Sequence, residues 1–263
     1  MGTVKNLFRQ AFRDVYYGIY GKKGKEIVIN NENYIVSAHV ARGIRPYIDD
    51  IPLQLLSKLC KDADVVCDLG ANIGIISTVL AKRMKPGSNL YSFEPGATAF
   101  KYLSDNARVQ NGNAKINPIN CAVSNKNEML QFSISANTTR NHIAKTQEAN
   151  TVSVKAVTLD SFCQERKITP QLIKIDIEGA EYWALEGMKD TLGNNSCVVL
   201  VEIHTDYLTA NGVTGKLFEE YLSSIGYKVF DAYGKEITGS DMLHTACVIL
   251  AKSRPAQSVF LSY

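Results

Sequence analysis

Several patterns that mark particular classes of protein are missing from this sequence of 263 residues. Its six cysteines form neither a CxxC pair nor a Cys/His spacing typical of zinc sites, so we expect them to be reduced and structural. No block of five basic residues occurs, and the formal net charge is +3. These absences argue against a nucleic-acid groove and favour a small-molecule partner.

Long apolar runs are also missing. None reaches the ~18 residues of a membrane-spanning helix, and the first residues lack the pattern of a signal peptide, so the cytoplasm is the expected location. With 45% apolar and 21% charged residues, the composition is that of an ordinary globular protein. We predict one α/β domain over residues 51–263, preceded by an appendage over residues 1–50.

The appendage is predicted to contain a helix and a hairpin. Apolar residues recur at helical spacing over residues 1–20, opposite a partly basic face. This amphipathic helix is expected to pack on its own domain or on a second copy of the chain, in preference to lying on a membrane surface. Ile27–Ile29 and Tyr34–Val36 flank a polar turn and predict the hairpin.

A glycine-containing turn gives the first indication of a ligand. Val65–Leu69 predicts a strand and Ile73–Met84 a helix, with Gly70 and Gly74 at the turn between them. Such a turn lets a ligand approach the backbone closely. Glu94 ends the next apolar run, about 20 residues further on, where a carboxylate can accept hydrogen bonds from both hydroxyls of a ribose. Together these features predict a nucleoside pocket.

The nucleoside is expected to be that of S-adenosylmethionine rather than of a dinucleotide. The dinucleotide fingerprint requires glycine at its third and sixth positions, where this chain has Asn72 and Ile75. Asp68 is expected at the mouth of the turn, where it would repel a pyrophosphate but attract the amino group of a sulfonium amino acid. The charge of the turn therefore favours the methyl donor.

From Val65 onward, predicted strands and helices alternate, which is typical of a mostly parallel sheet covered by helices on both faces. The predicted strands are 64–69, 89–94, 115–120, 171–176, 197–203, 227–232 and 245–251. The predicted helices are 73–84, 96–111, 158–166, 179–192 and 214–225. Met129–Ser135 and Val152–Val157 alternate apolar and polar residues and predict an inserted antiparallel pair, whose connecting loop contains Arg140 and His142.

Acidic residues follow the fourth of these strands. Ligands of open parallel sheets lie beyond the carboxyl ends of the strands, and Asp176 stands at that end. Glu178 and Glu181 come next, at a predicted helix start where acidic residues are also locally favourable. The following strand runs into Glu202 and His204, and a histidine in this position is a candidate base.

Taken in order, five motifs resemble those of the FkbM family of S-adenosylmethionine-dependent methyltransferases. They are Asp68-Leu-Gly-Ala-Asn-Ile-Gly74, Phe93-Glu94-Pro95, Val157-Thr158-Leu159-Asp160, Leu172-Ile-Lys-Ile-Asp-Ile-Glu-Gly-Ala-Glu181 and Glu202-Ile203-His204. The resemblance covers residues 47–232. It implies a class I methyltransferase (Rossmann-like) sheet of seven strands with the last one antiparallel. It also implies methylation of a hydroxyl group, on a sugar or glycan or on another small molecule.

These patterns together define the expected site. The residues expected to bind the methyl donor are Asp68, Gly70, Ala71, Asn72, Gly74, Glu94, Pro95 and Asp176. The residues expected to face the acceptor are Glu178, Glu181, Arg140 and His142. The expected catalytic residues are Asp176, Glu202 and His204.

Three routes for removing the proton of the acceptor hydroxyl are open. His204 can take the proton, with Glu202 or Asp176 orienting the imidazole. Asp176 can itself be the base. Alternatively, Asp176, Glu202 and His204 can bind a divalent cation that lowers the pKa of the hydroxyl. We favour a route without a metal.

Other classes of function compete with O-methylation. An RNA methyltransferase is disfavoured by the nearly balanced charge. A non-catalytic protein that binds S-adenosylmethionine is disfavoured because Asp68, Glu94 and Asp176 are all present. A dehydrogenase would show itself by tight binding of NAD.

Overall fold

The structure is a computed structural model that describes residues 23–41, 50–133 and 151–262, together with the short strand at 142–143. The amphipathic helix predicted over residues 1–20 lies outside the described residues. So do Arg140 and the side chain of His142. What the sequence indicates for them stays a prediction.

The described strands form three sheets. In chain order they are β1 Lys25–Ile29, β2 Glu32–Val36, β3 Val65–Leu69, β4 Asn89–Phe93, β5 Lys115–Ile119, β6 Ala122–Val123, β7 Glu128–Ser133, β8 His142–Ile143, β9 Thr151–Val157, β10 Leu172–Ile175, β11 Val198–Glu202, β12 Lys228–Phe230, β13 Glu236–Ile237 and β14 Cys247–Ala251. The main sheet has the order β13-β12-β14-β11-β10-β3-β4-β5. Strands β11 through β5 run parallel, whereas β14 is antiparallel to both neighbours. The mostly parallel sheet and its reversed strand are therefore confirmed.

Two apolar cores lie on opposite faces of this sheet. Ile173 and Val199 belong to one core, and their chain neighbours Leu172 and Leu200 belong to the other. Strands buried on both faces need apolar residues at nearly every position, as these strands have. The helices that cover them are Ile51–Leu59, Ile75–Arg83, Ala97–Val109, Leu159–Arg166, Glu181–Glu186, Lys189–Asn194, Thr205–Ala210, Gly215–Ser224 and Asp241–His244.

Two differences from the prediction concern the edge of the main sheet and one of the helices. The main sheet has eight strands rather than seven, because the two-residue strand β13 pairs with β12 at the edge. Such a short strand has no detectable apolar alternation. The helix predicted over 179–192 is broken near Gly187, where a Cβ atom would collide with the backbone carbonyl of Ser124. A residue with a side chain does not fit at position 187, because the backbone of Ser124 lies too close.

A smaller sheet is inserted between β5 and β10. It has the order β6-β9-β7-β8, and β7 pairs with β9 in antiparallel register from Glu128 opposite Ala156 to Ser133 opposite Thr151. The predicted antiparallel pair is thus confirmed. Phe132 is buried in its own small apolar cluster and also lines the cleft described below.

The predicted hairpin is confirmed as β1 and β2. Asn30 and Asn31 form its turn with positive φ angles of 51° and 63°, and Ile29 and Tyr34 pack against Val79 of the main domain. All six cysteines are buried and free, as expected. Among the residues that the structure describes, no helix combines the length and apolarity needed to cross a bilayer.

Candidate active site

A cleft opens at the carboxyl ends of β3, β4 and β10. It encloses about 720 Å³ of atom-free space, part of which is open to solvent. Three groups of residues line it: the turn after β3, the segment after β4 and the segment after β10. They are joined by apolar side chains of the inserted sheet. The lining residues are Leu69, Gly70, Asn72, Phe93, Glu94, Pro95, Cys121, Ala122, Val123, Phe132, Asp176, Ile177, Glu178 and Ala180.

The turn after β3 is held by backbone contacts that require glycine. Gly70 has a φ of +81°, and a Cβ atom there would collide with the backbone carbonyl oxygen of Asp176. The N–H groups of Gly70 and Ala71 both donate to the carbonyl oxygen of Phe93, at 3.0 and 2.9 Å. The turn therefore ties β3 to both neighbouring strands, and it keeps the floor of the cleft narrow.

Two residues predicted to bind the donor have packing roles, and their contact with the donor stays a prediction. Gly74, with a φ of +86°, is packed so closely that a Cβ atom would lie 2.8 Å from Cδ1 of Leu103. Ala71 is buried in the apolar core on that face of the sheet. Neither residue lines the cleft. The glycine at position 74 is needed for helix packing, which the sequence pattern does not distinguish from ligand contact.

Glu94 is the buried acidic group of the cleft. Its Oε2 accepts from the N–H of Asn72 at 3.0 Å, and its Oε1 accepts from the N–H of Gly96 at 2.7 Å. Burial raises the pKa of Glu94 to about 7, although the two N–H groups act in the opposite direction. Asn72 also lines the cleft, and its buried Oδ1 has no hydrogen-bond partner among the described residues. Buried polar atoms are rarely left unpaired, so this oxygen is available to accept a hydrogen bond from a ligand or a water molecule.

Asp68 was expected at the mouth of the turn, and this placement is wrong. Its side chain is fully buried within β3, where it accepts a 2.6 Å hydrogen bond from Ser77 and lies 3.1 Å from Nζ of Lys174. The parallel register places Asp68 directly opposite Lys174 on the same face of the sheet. Asp68 therefore lies beneath the turn and is linked to it through Lys174, which also donates to the carbonyl oxygen of Gly70.

Lys174 is the residue that sequence reasoning missed. Its Nζ lies 3.1 Å from Asp68 and 3.3 Å from Asp176, and it donates to the carbonyl oxygen of Gly70 at 3.0 Å. Burial alone would lower its pKa, but the two carboxylates outweigh burial and raise the pKa well above its usual value. The available signal was one lysine inside the apolar strand Leu172–Ile175, since buried lysine is rare unless it is paired.

His204 is positioned by Glu181. The imidazole Nδ1 lies 2.7 Å from Oε1 of Glu181, and the N–H of Gly179 donates to the same oxygen at 2.9 Å. Because a carboxylate accepts hydrogen bonds, Nδ1 carries the hydrogen in this pair. Glu181 was expected to face the acceptor; its side chain is fully buried, and its contact with an acceptor stays a prediction.

The other imidazole nitrogen faces carboxylates. Nε2 of His204 lies 3.5 Å from Oε2 of Glu178 and 3.9 Å from Oδ1 of Asp176. Burial alone would lower the pKa of His204, but the hydrogen bond to Glu181 and the surrounding negative charge raise it to about 9. In this arrangement the imidazole is protonated at neutral pH, so it must lose a proton before it can act as a base.

The three predicted catalytic residues do come together. One ligand-forming atom from each of Asp176, Glu202 and His204 lies within 4.8 Å of the other two. Burial, and after it the charge of Asp176, raises the pKa of Glu202. Asp176 lines the cleft, whereas Glu202 lines an adjacent depression next to Ile51 and Pro52. The cluster therefore lies between two concave surfaces and can serve a proton transfer or hold a cation.

The order of the main sheet, its reversed strand and the glycine turn followed by a buried acidic strand end define a class I methyltransferase. A sequence model of the methyltransferase FkbM domain matches residues 68–229, which is more than half of the chain. The chain therefore belongs to the FkbM methyltransferase family, and its fold implies S-adenosylmethionine as the methyl donor.

Two individual proteins are similar to this chain at 27% and 28% sequence identity. The chain is 27% identical over 176 residues to the hexuronic acid methyltransferase AglP of Haloferax volcanii, a match covering 65% of this chain and 69% of the relative. It is 28% identical over 176 residues to methyltransferase 1 of Beauveria bassiana, covering 57% of this chain and 69% of the relative.

Solved structures show weaker similarity. The crystal structure of methyltransferase FkbM from Methylobacillus flagellatus has a TM-score of 0.44 and 16% identity, over 73% of this chain and 44% of that protein. The O-methyltransferase of Bacillus cereus in complex with SAH has a TM-score of 0.41 and 14% identity, over 76% of this chain and 78% of that protein. This chain thus spans less than half the length of the first of these proteins.

Proposed function

We propose that this protein transfers the methyl group of S-adenosylmethionine to a hydroxyl oxygen of a sugar, a glycan or another small molecule. The observation that supports this most is the cleft in which Gly70, Glu94 and Asp176 converge. It combines close backbone approach, a buried carboxylate and a strand end bearing charged groups. Each of these suits one part of the donor.

The donor fits the cleft in a definite orientation. Each oxygen of Glu94 accepts one backbone hydrogen bond and keeps lone pairs with which to accept one from a ribose hydroxyl. The apolar lining contributed by Pro95, Ala122 and Phe132 suits the adenine ring. The methionine portion then extends past Asn72 toward Asp176, where carboxylates favour the cationic sulfonium.

The acceptor oxygen is proposed to approach beyond Asp176 and His204. The oxygen forms a bond to the methyl carbon while the electron pair of the broken S–C bond stays on sulfur, which becomes an uncharged thioether. The hydroxyl proton leaves to a basic group at these strand ends, for which Asp176 and deprotonated His204 are the candidates. The main contribution expected from the protein is the alignment of the acceptor oxygen, the methyl carbon and the sulfur.

A sugar acceptor is favoured by the relative from Haloferax volcanii, which is a hexuronic acid methyltransferase. An RNA acceptor is disfavoured by the net charge of +3. We keep as predictions the packing of residues 1–20 on the domain or on a second copy of the chain, the acceptor contacts of Arg140 and His142, and the cytoplasmic location. Membrane contact through residues 1–20 stays the alternative that the sequence does not favour.

The test is an acceptor screen with S-adenosylmethionine labelled in its methyl group. The panel contains uronic acids, nucleotide sugars, oligosaccharides and, as a separate arm, short RNA. We expect a labelled product that carries the methyl group on oxygen, identified by mass and by fragmentation. Labelled RNA with unlabelled sugars would overturn the proposed acceptor, and donor binding without any product would favour a non-catalytic protein.

A further inference from the structure

The cluster of Asp176, Glu202 and His204 has the composition of a cation site. It offers two carboxylate oxygens and one imidazole nitrogen from the ends of two adjacent parallel strands. The separations of up to 4.8 Å between the ligand-forming atoms are wider than the roughly 3 to 3.5 Å expected around a bound cation at typical ligand distances. Binding would require rotation of the Asp176 and Glu202 side chains, which their partial exposure permits.

The environment of His204 matches that of a metal ligand. Histidines that bind metals almost always donate their second ring N–H to a carboxylate or a carbonyl. Here that partner is Glu181, whose Oε1 lies 2.7 Å from Nδ1 of His204 and is held in addition by the N–H of Gly179. The contact fixes the ring so that Nε2 faces the cluster. A fully buried glutamate is costly, and a role in orienting the imidazole explains its position.

The charge balance of the region also favours a cation. Among the residues that the structure describes, Lys174 and His204 interact with several carboxylates at the ends of β3, β10 and β11. Those carboxylates number five: Asp68, Asp176, Glu178, Glu181 and Glu202. Oε2 of Glu181 has no hydrogen-bond partner among the described residues.

We propose that Asp176, Glu202 and His204 bind one divalent cation, with Glu181 as the positioning residue for His204. Carboxylate and imidazole ligands suit Mn²⁺ and similar divalent ions, whereas thiolate ligands select softer metals. The cation site does not depend on the proposed function, whereas its use in methyl transfer rests on that function. There it would lower the pKa of an acceptor hydroxyl. This inference replaces the metal-free route that the sequence favoured.

The test measures Mn²⁺ binding directly, by the loss of the electron paramagnetic resonance signal of free Mn²⁺ on addition of the full chain, after dialysis against a chelator. We expect one site per chain. Glu202→Gln and His204→Ala should each weaken Mn²⁺ binding by at least about 10-fold, and Glu181→Gln by about 10-fold to 100-fold. The circular dichroism spectrum and the thermal unfolding of every variant report that it is folded.

The matched control is Glu236→Gln, which removes an equal charge from the exposed edge of the sheet. It should leave Mn²⁺ binding unchanged. Absence of Mn²⁺ binding by folded wild-type protein, or equal binding by wild type and Glu202→Gln, would overturn the cation site. Methyl transfer by chelated protein would then leave the proposed function intact. Conversely, Mn²⁺ binding without any binding of the methyl donor would sustain the site and defeat the proposed function.

Discussion

The two sides of the cleft are built differently. The donor side, formed by Gly70, Asn72 and Glu94, is held by backbone hydrogen bonds and by a glycine that no other residue can replace. The acceptor side, formed by Asp176, Glu202 and His204, is held by interactions between charged side chains. The donor side is therefore sensitive to shape, whereas the acceptor side is sensitive to charge.

This difference predicts the largest effect for a change of shape at the donor side. Gly70→Ala adds a Cβ atom against the backbone of Asp176, so we expect the free energy of unfolding to fall by more than about 4 kcal/mol. Gly87→Ala is the control, because Gly87 also has a positive φ, of +85°, but no atom lies within 4 Å of its added Cβ. That variant should lose about 1 to 2 kcal/mol. Equal losses in urea denaturation would show that the close approach is unimportant.

The second largest effect is expected when a buried charge is removed. Lys174→Met leaves Asp68 buried without its counter-ion and should cost about 3 to 5 kcal/mol in the free energy of unfolding. Lys228→Met removes a lysine from an exposed ion pair and should cost less than about 1 kcal/mol. In the double variant, Asp68→Asn should restore part of the loss caused by Lys174→Met. Strictly additive losses would contradict the pairing.

The donor side should also control affinity. Glu94→Ala removes the acceptors for two ribose hydroxyls, so binding of S-adenosylhomocysteine should weaken by about 2 to 4 kcal/mol in calorimetry. Asp64→Ala, which removes an exposed carboxylate at the opposite end of the sheet, serves as the control and should bind normally. Unchanged affinity in Glu94→Ala would show that the ribose does not bind at this position.

The pH dependence of the same residue gives a smaller effect. With a pKa of about 7, most Glu94 side chains are protonated at pH 6 and ionised at pH 8. The ionised form is the better acceptor, so affinity for S-adenosylhomocysteine should rise about 10-fold over this range. The raised pKa also means that Glu94 contributes stability below about pH 4.5 that is lost as the pH rises through 7. Glu94→Gln should flatten both profiles; a profile that keeps its slope would assign the titration to another group.

Local patterns in the sequence predicted most of the donor side and of the sheet. The glycine turn and Glu94 belong to short segments whose spacing is visible along the chain. The acceptor side depends on contacts that spacing does not reveal. Lys174 meets Asp68 through the register of β3 and β10, and His204 meets Glu181 across two strand ends. Sequence alone therefore did not reveal the contact between Glu181 and His204, and it missed Lys174.

The central claim is that the cleft binds the methyl donor between Glu94 and Asp176. A crystal structure of the protein with S-adenosylhomocysteine tests it most directly. We predict both ribose hydroxyls within about 2.5 to 3.0 Å of the Glu94 carboxylate, with the sulfur directed toward Asp176 and His204. A ligand bound elsewhere, or a ribose without contact to Glu94, would contradict the account.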